Sequence, residues 1–458
     1  MFPYVVSLVA LCLCVIFALY QQQQRTSEDI AKHSTVHQRH EEIDDELHNI
    51  HQTSATERFT VFRNHFLIVY AFATAADWLQ GSFMYSLYKN AHRVPDATIA
   101  TLFATGFLCA GVSGTFVGVL TDRYGRKKAC QAYCVAYTIS NLTMLSSNIG
   151  ILMFGRAMGG VSTTILFTAF ETWMVSEFHR QGFAHTLCSL SSLYGAMSAV
   201  NGFIAVGSGV TAQILVAMFA SEKAPFMTSV VCLVVTWCFI STLWVENYGS
   251  QTDYTAREAT AALRAGVREL SNLDLLSIGY ATCLLEGSMY VMVYSWPEAI
   301  STARPWGHPN AETPFGIIFA CFMSALTLGS MFFHYSTRDG NSRQLSTSFV
   351  QLALSLSALC LIVVVASSRQ FVRFFAFCIF EFCVGLYFPS IAYLRGLLVK
   401  DAHRATTYGF IRVPLNVFVF VSLISIHEGN ISRDNRFLLC SGLLLVGTYL
   451  LARCRSAS

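Results

Sequence analysis

The chain has 458 residues, of which 54% are hydrophobic and 12% charged, with a formal net charge of +3. Soluble domains carry roughly 25% charged residues, so this composition excludes a string of soluble domains despite the length. The apolar stretches are continuous and do not alternate. That excludes a β-barrel and leaves an all-α polytopic membrane protein, because only helices and closed barrels satisfy their backbone in lipid.

Residues 1–20 form an apolar run just long enough to span a bilayer. It has no basic start and no clear small-x-small cleavage site, so it reads as a retained helix. Residues 21–60 are polar, with a Gln tract, several His and the acidic run Glu41-Glu42-Ile-Asp44-Asp45-Glu46. They read as a cytosolic loop. Neither the His residues nor the 15 scattered cysteines show zinc-ligand spacing, so no metal and no cofactor is expected. No nucleotide loop, nucleophile elbow or His-Glu-x2-His helix occurs, so the chain reads as no enzyme, and no nucleic-acid partner is expected.

Twelve apolar spans follow, at about 62–88, 97–120, 129–147, 150–175, 186–213, 225–245, 274–296, 314–335, 346–367, 371–396, 405–427 and 435–453. Segment 246–273 differs, with Arg257, Glu258, Arg264, Arg268 and Glu269 among Ala and Leu. It reads as a cytosolic amphipathic linker between two six-helix halves, 61–245 and 274–453.

Between spans 2 and 3 lies a basic island, Gly118-Val-Leu-Thr-Asp122-Arg123-Tyr-Gly125-Arg126-Lys127-Lys128. Its cations mark the cytosolic side, its glycines permit close backbones, and Asp122 suits a helix N-terminus. The pattern resembles the loop between helices two and three of the major facilitator transporters. With this island inside, the inner loops hold roughly twice the Lys and Arg of the outer loops, as the positive-inside rule requires. Gln80-Gly-Ser in span 1 and Glu286-Gly-Ser in span 7 form a faint internal echo, which parallel repeats predict.

Ionisable residues inside apolar spans are costly, so each is a functional candidate, with an interhelical ion pair as the alternative. They are Asp77, Arg156, Glu171, Glu286, Glu381 and Arg412. Arg156 and Glu171 share a helix but lie about 22 Å apart along it and cannot pair. Arg156, Gly160 and Thr163 fall on one helical stripe, and Asn416 lies one turn from Arg412. A guanidinium, a hydroxyl and an amide are the donors a small oxyanion requires once its water is stripped. Burial disfavours a charged carboxylate, which makes Asp77, Glu286 and Glu381 candidates for proton coupling. At the inner end, Glu177 and Arg180 with Asp122 and Arg126 form a candidate cytosolic charge latch, to which Gly118, Arg123 and Gly125 belong.

Motifs in five spans carry a closer resemblance. Ala75-Ala-Asp-Trp-Leu-Gln80, Gly155-Arg-Ala-Met-Gly-Gly-Val-Ser162, Phe167-Thr-Ala-Phe-Glu-Thr-Trp173, Pro314-Phe-Gly-Ile-Ile-Phe319, Gly385-Leu-Tyr-Phe-Pro-Ser390 and Arg412-Val-Pro-Leu415 resemble the molybdate-anion transporter family of the major facilitators. The match runs from about residue 60 to 440 and includes the extra apolar helix at the start. The resemblance implies the major facilitator fold, with spans 1, 4, 7 and 10 lining the cavity, in a multi-pass protein of the cell membrane. It also implies molybdate uptake; beside it, the placing of the buried charges reads as alternating access of two halves around a midplane site, with Arg156 and Arg412 on the anion and Thr163 and Asn416 assisting. The long polar segment 21–57 and the short C-terminal tail depart from the family. Two alternatives stand beside it: a proton-coupled carrier of another small solute, and a non-transporting receptor or scaffold on the same fold.

Overall fold

The computed structural model of the protein describes residues 1–37, 45–183, 190–249, 273–306, 312–337, 342–398, 414–422 and 433–457. Helix α1 spans Phe2–His37 and α2 spans Asp45–Gly81. The polar segment is therefore largely helical where it is described, and not a loop. It contains no glycine and no proline, and its Gln, Glu, Lys, Arg and Ala residues are good helix formers.

The remaining long helices are α3 (Asp96–Ser113), α4 (Val117–Tyr124), α5 (Arg126–Thr143), α6 (Ile149–Arg180), α7 (Leu190–Phe219) and α8 (Ala224–Leu243). After the linker come α9 (Leu273–Ser301), α10 (Phe315–Ser336), α11 (Ser342–Ala366), α12 (Gln370–Leu398), α13 (414–422) and α14 (Arg433–Ala457). The second span is broken into α3 and α4, because Thr115 bonds back to the carbonyl of Val112 and Gly114 offers no side chain to continue the packing. Among the described residues, 10 helices are long and apolar enough to cross a membrane, α1 included. Helix α2 misses that mark through Asn64, His65, Asp77 and Gln80, and α5 through its three opening cations. Span 11 is described only as 414–422, and most of linker 246–273 lies outside the described residues.

Helix α1 is docked and not peripheral. Tyr4 is 2% exposed and meets the rings of Trp306 and Phe374 edge-on at 5.2 and 5.0 Å. Deeper along the same helix, Cys12 lies 3.9 Å from Ser324 on α10. Helices α1 and α10 thus run in the same direction, which puts residue 1 at the end opposite the basic island.

Glycine sets the closest crossings. A side chain at Gly385 of α12 would run into the backbone of Leu326 on α10, and one at Gly329 into the backbone of Phe382. Gly160 of α6 lies as close to the backbone of α3 at Gly106 and Ala110. Across the chain's two helical groups, α7 meets α10 where a Cβ on Gly209 would stand 2.7 Å from the Gly316 carbonyl, and Gln213 accepts the Gly316 amide at 3.0 Å. The described contacts between the groups run from the outer ends to mid-depth, at Phe83–Phe315, Tyr85–Tyr294, Phe107–Tyr290 and Gly202–Thr327. At the inner ends, Gly118, Gly195 and Gly396 face open space.

Candidate functional site

The N-terminal group builds a polar centre from three helices. Asp77 of α2 accepts a 2.5 Å hydrogen bond from the Tyr137 hydroxyl of α5. Thr163 of α6 stands beside the same hydroxyl and donates to the Gly159 carbonyl at 3.0 Å. Arg156 of α6 attracts Asp77 electrostatically, yet no ion pair joins them. Its guanidinium lies over the ring of Phe103 at 5.4 Å and makes one long bond, Nε to the Leu102 carbonyl at 3.5 Å. The space it occupies exists because residue 106 is glycine, where a Cβ would stand 2.6 Å from Nη2. Asp77, Arg156 and Thr163 are all half-buried. Asp77 lies four residues before the end of α2, and Arg156 seven residues after the start of α6.

The C-terminal group has its own centre. Glu286 of α9 lies 3.5 Å from the Arg395 guanidinium of α12 and accepts from the Tyr387 hydroxyl at 3.1 Å. Arg395 also bonds to the Thr282 hydroxyl. Glu381 is buried at 4% exposure. Asn416 is not beside Arg156. It packs from α13 onto α3 at Gly111, where its amide occupies the space a side chain would take, about 7 Å along the helix from Gly106. Arg412 lies outside the described residues. Glu171 accepts from Tyr194 of α7 at 2.7 Å.

The cytosolic residues form two local pairs, Arg126 with Asp122 at 2.7 Å and Arg180 with Glu177 at 2.6 Å. No ion pair links the two among the described residues. A residue that sequence reasoning missed organises the island. Glu246, just after α8, accepts the backbone amides of Lys127 at 2.8 Å and Lys128 at 3.2 Å, and so caps α5. The approach is held by Trp244, stacked on Trp173 at 3.7 Å, and by the Arg126 amide bonded to the Asn247 carbonyl. Arg123 lies over the neighbouring Tyr124 ring. A cleft of about 510 Å³ opens beside it, lined by Arg126, Glu171, His179, Tyr194 and Tyr248.

Gly125 is the hinge of this arrangement, with φ of 110° and room for no side chain beside Glu246, whose Cδ would stand 2.6 Å from a Cβ. Gly125→Ala is expected to cost about 1–2 kcal/mol in backbone strain, with the Glu246 cap weakened besides. Thermal denaturation of the solubilised variant should show a midpoint lowered by several degrees. An unchanged midpoint would mean that the cap moves aside freely.

Tyr137, Tyr387, Arg395 and Arg436 were also missed. The tyrosines carry no charge to mark them in an apolar run. Both arginines lie within a turn of a predicted helix end and read as flanking charges. A signal for Arg395 was present: its side chain can reach inward, opposite Glu286, from the last turn of α12.

Comparison with known proteins places this architecture. A family model described as "Sugar-tranasporters, 12 TM" matches residues 46–378. The molybdate-anion transporter of Xenopus laevis is 30% identical over 395 residues, covering 85% of this chain and 84% of its own length. That of Xenopus tropicalis is likewise 30% identical, with 85% and 84% covered. Among solved structures, a variant of the nucleoside transporter NupG superposes with a TM-score of 0.69 at 11% identity, covering 86% of this chain and 99% of that one. At that identity the likeness speaks for the fold alone, an integral multi-pass helical transporter fold. Taken with the extent of the sequence matches, the chain belongs to the molybdate-anion transporter family of the major facilitators.

Proposed function

We propose that the protein is a secondary transporter that carries molybdate, or a tetrahedral oxyanion of the same shape, across the cell membrane. The observation that carries this reading is Arg156, a half-buried cation within a membrane-crossing helix that makes no ion pair among the described residues. A dianion stripped of water needs a positive charge and fixed donors; Arg156 supplies the charge and its guanidinium N–H groups, and the Thr163 and Tyr137 hydroxyls join it by turning from the Gly159 carbonyl and from Asp77, to which they now donate. The names of the relatives supply the anion. Arg412 completes the site from the C-terminal half in this reading, with Asn416 assisting from its place on Gly111, about 7 Å further along α3. Transport proceeds by rocking of the halves 61–245 and 274–453 about the site, with the linker 246–273 at the inner surface. The Asp122–Arg126 and Glu177–Arg180 pairs bias the inner gate, each weakly because exposed pairs contribute little. Asp77, Glu286 and Glu381 are the groups through which protons would couple to transport.

Uptake of radiolabelled molybdate, in cells lacking their own carrier and with surface protein quantified, tests this reading. Saturable uptake above the vector control is expected, with sulfate competing only in excess. Surface protein that moves no molybdate would sink the assignment. Equal competition by sulfate would widen the substrate to tetrahedral oxyanions at large.

A further inference from the structure

Arg436 stands at the outer end of α14, 7% exposed. Among the described residues it makes no hydrogen bond and no ion pair, and its Nε is buried without an acceptor. Its neighbours are provided for. Arg433 bonds to Asp434 at 3.0 Å and to the Thr302 hydroxyl at 2.6 Å, and lies 3.8 Å from Glu298. Arg373 donates to the carbonyls of Ser367 and Ala299. A buried guanidinium nitrogen left without an acceptor is costly, so a feature of this kind calls for a ligand or a second conformation.

Arg436 lies over Tyr294 of α9, whose ring centre is 6.0 Å from its Cζ, and feels the attraction of the Glu298 carboxylate, which is within ion-pair distance of Arg433 instead. Tyr294 meets Phe103 of α3 edge to face at 5.4 Å, and its hydroxyl donates to the Asp96 carbonyl at 3.1 Å. Phe103 in turn carries the Arg156 guanidinium at 5.4 Å. A line therefore runs from Arg156 through Phe103 and Tyr294 to Arg436. It crosses the outer contact between the two helical groups, with one cation from each group at its ends. The two rings close the way between the cations and hold each by a cation–π contact.

We propose that Arg436 is the outer member of a two-arginine relay that captures a small tetrahedral dianion from outside and passes it to Arg156, with the Phe103–Tyr294 contact as the plug between them. The proposal rests on the reading of the protein as an oxyanion carrier. When the outer ends part, the ring pair separates, and both guanidinium groups then face one opening. An entering dianion meets Arg436 first, and its oxygens satisfy the donors that are unmet while the outer side is closed.

Two measurements on the full chain test it: molybdate uptake into cells at matched surface amounts, and melting of the purified protein with sodium molybdate, sodium sulfate or sodium chloride at equal ionic strength. Arg436→Gln should raise the external half-saturation concentration roughly 10-fold or more, and Arg436→Lys should fall between it and the wild type. Molybdate should raise the wild-type midpoint above the chloride control and lose that effect in Arg436→Gln. Unchanged half-saturation in Arg436→Gln overturns the relay. Should that variant fail to reach the surface, Arg436→Lys decides in its place, a several-fold rise supporting the relay and no change overturning it. If the wild type itself moves no molybdate, the substrate reading falls. The relay then stands only if sulfate raises the wild-type midpoint in an Arg436-dependent way, and it is overturned if sulfate does not.

Discussion

Arg156→Gln is expected to nearly abolish uptake while leaving the protein at the cell surface. One lost charge-assisted hydrogen bond to a dianion is worth about 1.5–3 kcal/mol, or roughly 10- to 150-fold in affinity. Arg156→Lys keeps the charge and loses the planar fork, so it should retain part of the affinity. The guanidinium gives up little structure when removed, because among the described residues its hydrogen bond is long and it otherwise packs on Phe103 and Gly106. The rival role is neutralisation of Asp77, which Arg156 attracts. The double variant Arg156→Gln/Asp77→Asn separates the two. If the arginine serves only to neutralise the carboxylate, the pair of substitutions restores uptake. If it binds the anion, uptake stays lost, and the site is placed by the residue that cannot be replaced.

The second large effect is structural. Gly385→Val should prevent accumulation of folded protein, because the new side chain meets the backbone of Leu326 on α10. Overpacking costs typically about 1–3 kcal/mol when side chains can shift. Here the obstacle is main chain, so α10 and α12 must separate and the cost should reach or exceed the upper figure. Separation would also disturb Tyr387, one turn or less from Gly385 on α12, and with it the hydrogen bond to Glu286. Gly396→Val on the same helix is the matched control, since nothing lies within 4 Å of a Cβ there. Surface biotinylation and size-exclusion profiles should show Gly385→Val lost and Gly396→Val near wild type. Equal behaviour of the two would mean that the α10–α12 crossing tolerates a wider spacing.

The membrane class, the helical spans, the family and the ionisable residues at membrane depth were legible in the linear chain. Each is written in a local property, either the length of an apolar run or a charge that has no business within one. Asp77, Arg156 and Glu286 stand out for that reason, and the structure places Asp77 and Arg156 in one polar centre. Glycine positions were legible, but their partners were not. Gly106 makes room for Arg156 and Gly125 for Glu246, and in each case the partner comes from a distant part of the chain. The same holds for the polar segment after Tyr20, where helix formers without glycine or proline outweigh the appearance of a loop.

Which charges are paired was decided only by the tertiary structure. Arg395 finds Glu286 and Arg433 finds Glu298, while Arg436, three residues on from Arg433, lies over a tyrosine ring and makes no ion pair among the described residues. Helix periodicity places a side chain on a face and says nothing of what the next helix brings to meet it. The cost of burying a charge depends on that partner, and the partner is set by the packing of glycines and aromatic rings between helices far apart in sequence. Sequence alone therefore determined that this chain is a membrane transporter with cations at depth. Tertiary contact decided that Arg156, which the sequence marked, and Arg436, which it did not, lie on either side of the Phe103–Tyr294 contact, neither in an ion pair among the described residues.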